Sequence, residues 1–174
     1  MHIRPAVTAD FEAIAALTNI YINTTAIHFS YEPVTAAELR GLWEKYRATY
    51  PFLVAEIDGR FAGYAKAGVW RDRTAYQWTP ECGIYIEPWA QGKGVGSKLY
   101  GALIDGLRAQ GFHSVIGGIT LPNEPSVRLH EKLGFVKISH VKHAGWKFGA
   151  WHDVGFWQLM LAGEGHGAGP LKGP

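Results

Sequence analysis

The sequence predicts an α/β fold in which a mixed sheet carries helices on both faces. Its first half reads as strand, helix, helix and hairpin, and its second half alternates strand, helix, strand, helix, strand, strand. Such alternation builds layered α/β domains. With 174 residues, 47% hydrophobic and 18% charged, the chain can bury a sizeable core and is not composed like a disordered segment. No repeat or linker divides it, so residues 1–162 are expected to form one domain. Five of the last twelve residues are glycine and two are proline, so 163–174 is expected to be a frayed tail.

Ile3–Ala6 reads as a first strand. Thr8 then caps a helix with Asp10 and Glu12 in its first turn, where the helix dipole favours carboxylates. Phe11, Ile14, Thr18, Tyr21 and Ile22 keep helical spacing. Thr35-Ala36-Ala37-Glu38 is a capping box opening a second helix, whose apolar face is Leu39, Leu42, Trp43 and Tyr46 and which Pro51 stops. Phe52–Ile57 and Phe61–Val69 flank Asp58-Gly59-Arg60, a hairpin signal. Gly83–Glu87 is a strand, followed by a glycine-rich turn and a long helix that ends near Gln110 with Gly111 as a left-handed cap. Ser114–Thr120 is a strand, Pro125–Leu133 a short helix closed by Gly134, and Phe135–Lys142 and Phe156–Leu161 the last strands.

Charge and composition exclude several classes. Seventeen Lys and Arg against fifteen Asp and Glu leave no basic footprint for nucleic acid. One cysteine, Cys82, rules out an intrachain disulfide, and no apolar run approaches the roughly 18 residues of a membrane span. No nucleic-acid or membrane partner is expected, and the cytoplasm is the default location.

The most informative segment is Gln91-Gly92-Lys93-Gly94-Val95-Gly96-Ser97, a turn between a strand and a helix with glycine at three alternate positions. Glycine lets a backbone approach a ligand closely, and the free N–H groups of a helix N-terminus attract anions. Lys93 adds positive charge, so the turn suits a phosphate or pyrophosphate; taken alone it is equally well a flexible turn. It is neither a P-loop, since no Ser or Thr follows Lys93 or Lys98, nor a dinucleotide fingerprint, whose last glycine would fall on Ser97 or Leu99.

The turn resembles the acetyl-CoA signature of the GCN5-related N-acetyltransferase (GNAT) superfamily, Gln/Arg-x-x-Gly-x-Gly/Ala. A second landmark, Asn123 followed by a helix and Leu133-Gly134-Phe135, agrees. Four stretches extend the resemblance to the phosphinothricin N-acetyltransferase branch over nearly the whole chain: 50–56, 73–81, 121–131 and 149–159. It implies the GNAT acyl-CoA N-acyltransferase fold, a mixed and mostly antiparallel sheet of about seven strands. It also implies acetyl-CoA as co-substrate, a small-molecule amine acceptor and a homodimer. The strand Ile84-Tyr85-Ile86 would splay from its neighbour and pair with pantetheine. Gln91, Gly92, Lys93, Gly94, Val95, Gly96 and Ser97 would hold pyrophosphate, Asn123 would bond the pantetheine, and Ser126 would line the groove.

Amine acetylation needs a base or relay for the ammonium proton, donors for the developing oxyanion and an acid for the thiolate. Glu81, at the head of the splayed strand, is the base by resemblance, acting directly or through water. His130 stands where many family members have tyrosine, and is expected as the thiolate's acid or as an orienting group. Arg71, Arg73 and Tyr76 would grip a substrate carboxylate, as paired guanidinium bonds allow, and Phe29 would wall the pocket. The expected activity is acetylation of an α-amine of the phosphinothricin, methionine sulfoximine or methionine sulfone type. Another amine or a non-catalytic CoA sensor are the rivals. No metal is expected, since His140 and His143 lie three apart on a strand and face opposite sides. Cys82 is read as core.

Overall fold

The computed structural model describes residues 1–163 and 167–174. Seven strands form one sheet: β1 (His2–Pro5), β2 (Phe52–Ile57), β3 (Arg60–Gly68), β4 (Glu81–Ile86), β5 (Ser114–Leu121), β6 (Val136–Lys147) and β7 (Ala150–Met160). Their order is β1-β2-β3-β4-β5-β7-β6, and every pairing is antiparallel except β4 with β5. Four helices complete the layers: α1 (Phe11–Thr24), α2 (Ala36–Tyr46), α3 (Val95–Gln110) and α4 (Glu124–Lys132).

Strand alternation sorts the core into two halves. Val54 and Tyr64 meet Phe11, Ile14 and Leu17 of α1 on one face. Ala55, Ala65 and Val115 meet Leu99, Leu103 and Leu107 of α3 on the other. The predicted capping box of α2 is present: the Glu38 N–H donates to Thr35 Oγ1 at 3.2 Å, and the Thr35 N–H donates back to Glu38 at 2.8 Å. Asp58 and Gly59 both take positive φ, as a tight hairpin of this twist requires.

Three local expectations are corrected. Thr8 does not cap α1. Thr8–Asp10 form a single 3-10 turn, and Asp10, which precedes α1 without a side-chain cap bond to it, accepts the Val7 N–H at 2.7 Å and both guanidinium arms of Arg4 at 2.8 Å. The last two strands are longer than predicted. Strand β6 is an edge, almost wholly exposed, so no buried alternation marks it, and Phe148 and Gly149 turn the chain with positive φ. The tail is anchored at 167–174, because Trp78 Nε1 donates to the Gly169 carbonyl at 2.9 Å and Leu171 packs on the core. A compositional reading does not register one leucine; residues 164–166, also expected to fray, lie outside the described residues.

The Arg4–Asp10 pair ties β1 to the start of α1, with Glu56 of β2 also accepting from Arg4 at 2.5 Å. Burial pushes the Asp10 pKa up, but the Arg4 guanidinium and the Val7 N–H outweigh it, so the carboxyl lies below its usual range. The pair therefore stabilises fully above the ordinary Asp pKa, and its contribution is lost as pH falls through the depressed value. We predict that Asp10→Ala costs about 2–3 kcal/mol at neutral pH in urea unfolding, less than a fully buried pair because Arg4 keeps water contact. The deficit should shrink as pH falls below the ordinary Asp value toward the depressed one; an unchanged deficit through that fall would contradict the assignment.

Candidate active site

Strands β4 and β5 pair at only two positions, Glu81 with Ile116 and Cys82 with Gly117. On its other edge β4 stays paired with β3 through Ile86. From Gly83 to Ile86 the edge facing β5 thus has no strand partner, and backbone groups so left need another one. The expected splay at Ile84, Tyr85 and Ile86 is present. Alternation turns Glu81 toward the α1–α2 face and Cys82 toward α3. A cavity of about 600 Å³ opens on the Glu81 face, lined by Glu81, Lys66, His28, Phe29, Tyr85 and Phe156 among others. A cleft of about 60 Å³ leads from it through the sheet, past Ile84, Gly118, Asn123, Ser126 and His130.

Below the splay, Gly92 and Gly94 take φ of 74° and 77°, left-handed values that favour glycine. Helix α3 starts at Val95 with no side-chain cap and no acidic residue in its first turn, leaving its N–H groups for an anion. Gly96 lies against α4, where an added Cβ would sit 3.4 Å from Leu129. The Lys93 ammonium is 5.1 Å from the Trp89 ring centroid and the Arg60 guanidinium 4.1 Å from it. Arg60, a hairpin residue with no motif around it, was not singled out by sequence. Nor was Tyr21, whose hydroxyl donates to the Ile86 carbonyl at 2.7 Å and accepts from Gln91 Nε2 at 3.2 Å. Gln91 therefore braces the end of β4. Asn123 caps α4, accepting the Ser126 N–H at 3.3 Å, which leaves its amide nitrogen as a donor beside the cleft.

Burial raises the Glu81 pKa, and the positive charge of Lys66 partly opposes this. Gly118 lies beside the carboxylate: a Cβ there would stand 2.9 Å from Glu81 Oε1. On the opposite face His130 is 3% exposed. Its Nδ1 lies 2.8 Å from the Ser126 carbonyl, which can only accept, so Nδ1 carries the proton. Nε2 must then accept from the Tyr100 hydroxyl at 2.9 Å. Tyr100 O lies 2.6 Å from Cys82 Sγ and, with its own proton on His130, accepts the one S–H, for which the Ile116 carbonyl at 3.3 Å is the competing acceptor. Burial lowers the His130 pKa and pushes the Cys82 thiol up to about 12. This is a neutral, closed chain of hydrogen bonds.

Residues 14–135 match the Acetyltransferase (GNAT) family. The chain belongs to that family. It is 48% identical over 158 residues to a phosphinothricin N-acetyltransferase of Streptomyces viridochromogenes, covering 91% of this chain and 86% of the relative. It is 39% identical to an L-methionine sulfoximine/L-methionine sulfone acetyltransferase of Salmonella typhimurium, covering 92% and 95%. A crystal structure of a GNAT superfamily phosphinothricin acetyltransferase from Sinorhizobium meliloti, in complex with acetyl-CoA, superposes with a TM-score of 0.91 at 34% identity, covering 97% and 92%.

This GNAT enzyme is an N-acetyltransferase, and its residues fit the family's acetyl donor, acetyl-CoA. The open edge of β4 offers amide partners, and the uncapped α3 N-terminus with Lys93 and Arg60 offers an anion seat. Among the described residues, no three His, Cys, Asp or Glu side chains gather as a metal site. His140 Nε2 instead donates to Asp153 at 2.6 Å. Of the expected substrate residues, Phe29 lines the cavity, resting on Gly145, where any Cβ would overlap its ring. Arg71, Arg73 and Tyr76 do not line it. They stand exposed on the β3–β4 connection, with Arg71 over the Trp70 and Tyr76 rings at 4.9 and 5.9 Å.

Since the flexible end of Glu81 would yield most and the Phe156 ring, 3.3 Å away, only by a few tenths of an ångström, Gly118→Ala should displace the carboxylate without unfolding the protein. We predict an activity loss of at least about tenfold with little change in melting temperature. An unaffected rate would show that the Glu81 position is not critical.

Proposed function

We propose that this enzyme transfers the acetyl group of acetyl-CoA directly to the α-amine of an amino-acid-like substrate of the phosphinothricin, methionine sulfoximine or methionine sulfone type. The observation that carries this reading is Glu81, a half-buried carboxylate lining a cavity at the point where β4 and β5 part. The named activities of its relatives agree with it. Acetyl-CoA supplies the acyl group as a thioester. Glu81 accepts the proton that the substrate ammonium must lose, directly or through water. Backbone N–H groups near Ile84–Ile86 orient the acyl carbonyl, and Asn123 and Ser126 flank the path through the sheet. Arg71, Arg73 and Tyr76, although outside the cavity lining within one chain, are proposed as the groups that meet the α-carboxylate.

His130 suits the orienting role better than that of acid. As a neutral imidazole its one N–H is engaged by Ser126 of its own helix and its lone pair by Tyr100, so it ties α4 to α3 while its ring packs on Gly117 of β5. Cys82 is ill placed for an acyl-enzyme: its thiol is raised to about 12 and faces away from Glu81. A half-buried Glu81 beside Lys66 also argues against a mere CoA sensor. Edge strand β6 exposes Val136, Ile138, Val141 and Trp146, with Phe148 and Trp151 nearby. Such an apolar edge fits pairing with a second copy, so we propose a homodimer. The single thiol needs no oxidising compartment, which agrees with a cytoplasmic enzyme.

A thiol-release assay with acetyl-CoA against phosphinothricin, methionine sulfoximine, methionine sulfone, common amino acids and spermidine tests the reading. We expect turnover of the tetrahedral analogues, and a fall of about 10²–10⁴ in Glu81→Gln. Because the Glu81 pKa is raised, wild-type kcat/KM should climb with pH through a limb above the ordinary carboxylate range. The variant should lack that limb and follow the free amine of the substrate instead. Turnover of spermidine alone would discard the substrate class. In sedimentation equilibrium we expect twice the 19.2 kDa chain mass; a monomer at assay concentration would contradict the dimer.

A further inference from the structure

The cavity holds a cation that the proposed chemistry does not use. Lys66 of β3 stands opposite Gly83, and Gly68 stands opposite Glu81, so Lys66 and Glu81 share one face of the sheet as diagonal cross-strand neighbours. Such positions lie roughly 7–8 Å apart. Among the described residues, no carboxylate lies within 4.0 Å of the Lys66 ammonium and no acceptor takes a hydrogen bond from it; the sheet nevertheless half-buries the side chain and aims it into the cavity. A desolvated, unpaired ammonium is costly unless a ligand completes it.

His28 supplies a second donor to the same space. Its Nδ1 accepts the Ser30 N–H at 3.2 Å, so Nε2 carries the ring proton. Burial first, then Lys66 and Lys147, keeps this imidazole neutral. Lys147 fixes the His28 backbone: its ammonium donates to the Ile22 and His28 carbonyls, each at 2.6 Å. The remaining walls nearby, Phe52, Tyr85, Val154 and Phe156, are apolar or aromatic. One end of the cavity thus presents an ammonium and an imidazole N–H between largely apolar walls, with Glu81, which the substrate amine would face, as the one carboxylate among the described lining residues.

Resting on the amino-acid reading above, we propose that Lys66 and His28 form a subsite for an anionic side-chain terminus, a phosphinate, phosphonate, sulfonate or carboxylate borne about two methylenes from the α-carbon. With its amine at Glu81 and its α-carboxylate at the rim, such a substrate spans the diagonal and places its second anion on Lys66. The enzyme then favours anionic side chains over neutral ones such as the sulfone. Groups that meet the α-carboxylate serve every amino acid alike; Lys66 distinguishes among them.

The test is calorimetric titration of the full enzyme, saturated with free CoA, with phosphinothricin and with methionine sulfone, so that binding is read apart from turnover. Wild type should bind phosphinothricin at least tenfold tighter. Lys66→Met should weaken phosphinothricin tenfold or more while leaving methionine sulfone within twofold, and Lys66→Arg should restore most of the preference. Equal losses for both ligands would show that Lys66 serves the α-carboxylate or Glu81, and would overturn the subsite. Equal wild-type affinities would overturn it without any variant. If wild type binds neither ligand, the amino-acid reading fails and the subsite with it; if it acetylates both without preference, that reading stands and only the subsite falls.

Discussion

Everything in this molecule that concerns catalysis depends on β4 and β5 parting after two residue pairs. Parallel strands normally satisfy each other along their length, and a buried unpaired edge is expensive. Here the divergence leaves β4 from Gly83 to Ile86 without a partner on one side, and the free edge is only partly answered, by Tyr21 at the Ile86 carbonyl. An extended ligand with its own amides can satisfy the rest. The same divergence opens a passage through the sheet, so a donor held on the α3–α4 face can present its reactive end to the α1–α2 face. Glycine is required where the two strands begin to part, because side chains at Gly117 and Gly118 would strike His130 and Glu81 respectively.

The sheet also separates two electrostatic environments. Behind it, Cys82, Tyr100, His130 and the Ser126 carbonyl form a neutral chain in which each donor has an acceptor. Satisfied networks of this kind rigidify a core. In front, Glu81 and Lys66 share a half-buried cavity without touching, each shifting the other toward its charged form while burial opposes both. In the proposed reading, the rear network holds the passage in shape and the front pair meets the substrate. The long strand β6 contributes from a distance, since Gly145 seats Phe29 and Lys147 pins the chain around His28.

Much of this was legible from residue order. The Asp58-Gly59 turn, the Thr35–Glu38 capping box and the glycines closing α3 and α4 are local signals, and local geometry obeyed them. The glycine-rich turn and Asn123 point to the proposed donor site because binding of that kind is done by contiguous backbone. Features that depend on long-range packing were hidden. Lys66 sits within what reads as an ordinary apolar strand, and nothing in Phe61–Val69 says that its side chain enters a cavity. Tyr21 and Arg60 approach the turn from distant elements. Strand β6 lacked a buried face, so its alternation carried no signal beyond Lys142. Arg71, Arg73 and Tyr76 resemble a substrate clamp in sequence, yet within one chain they stand outside the cavity.

The most direct test of the central claim is a crystal structure of the enzyme with CoA and phosphinothricin bound together. Pantetheine amides should be hydrogen-bonded to the open edge of β4, the sulfur should lie in the passage beside Gly118, and the substrate amine should be within hydrogen-bond reach of Glu81 or one water away. A ternary complex with the thiol elsewhere, or with the amine remote from Glu81 and its water, would contradict that claim.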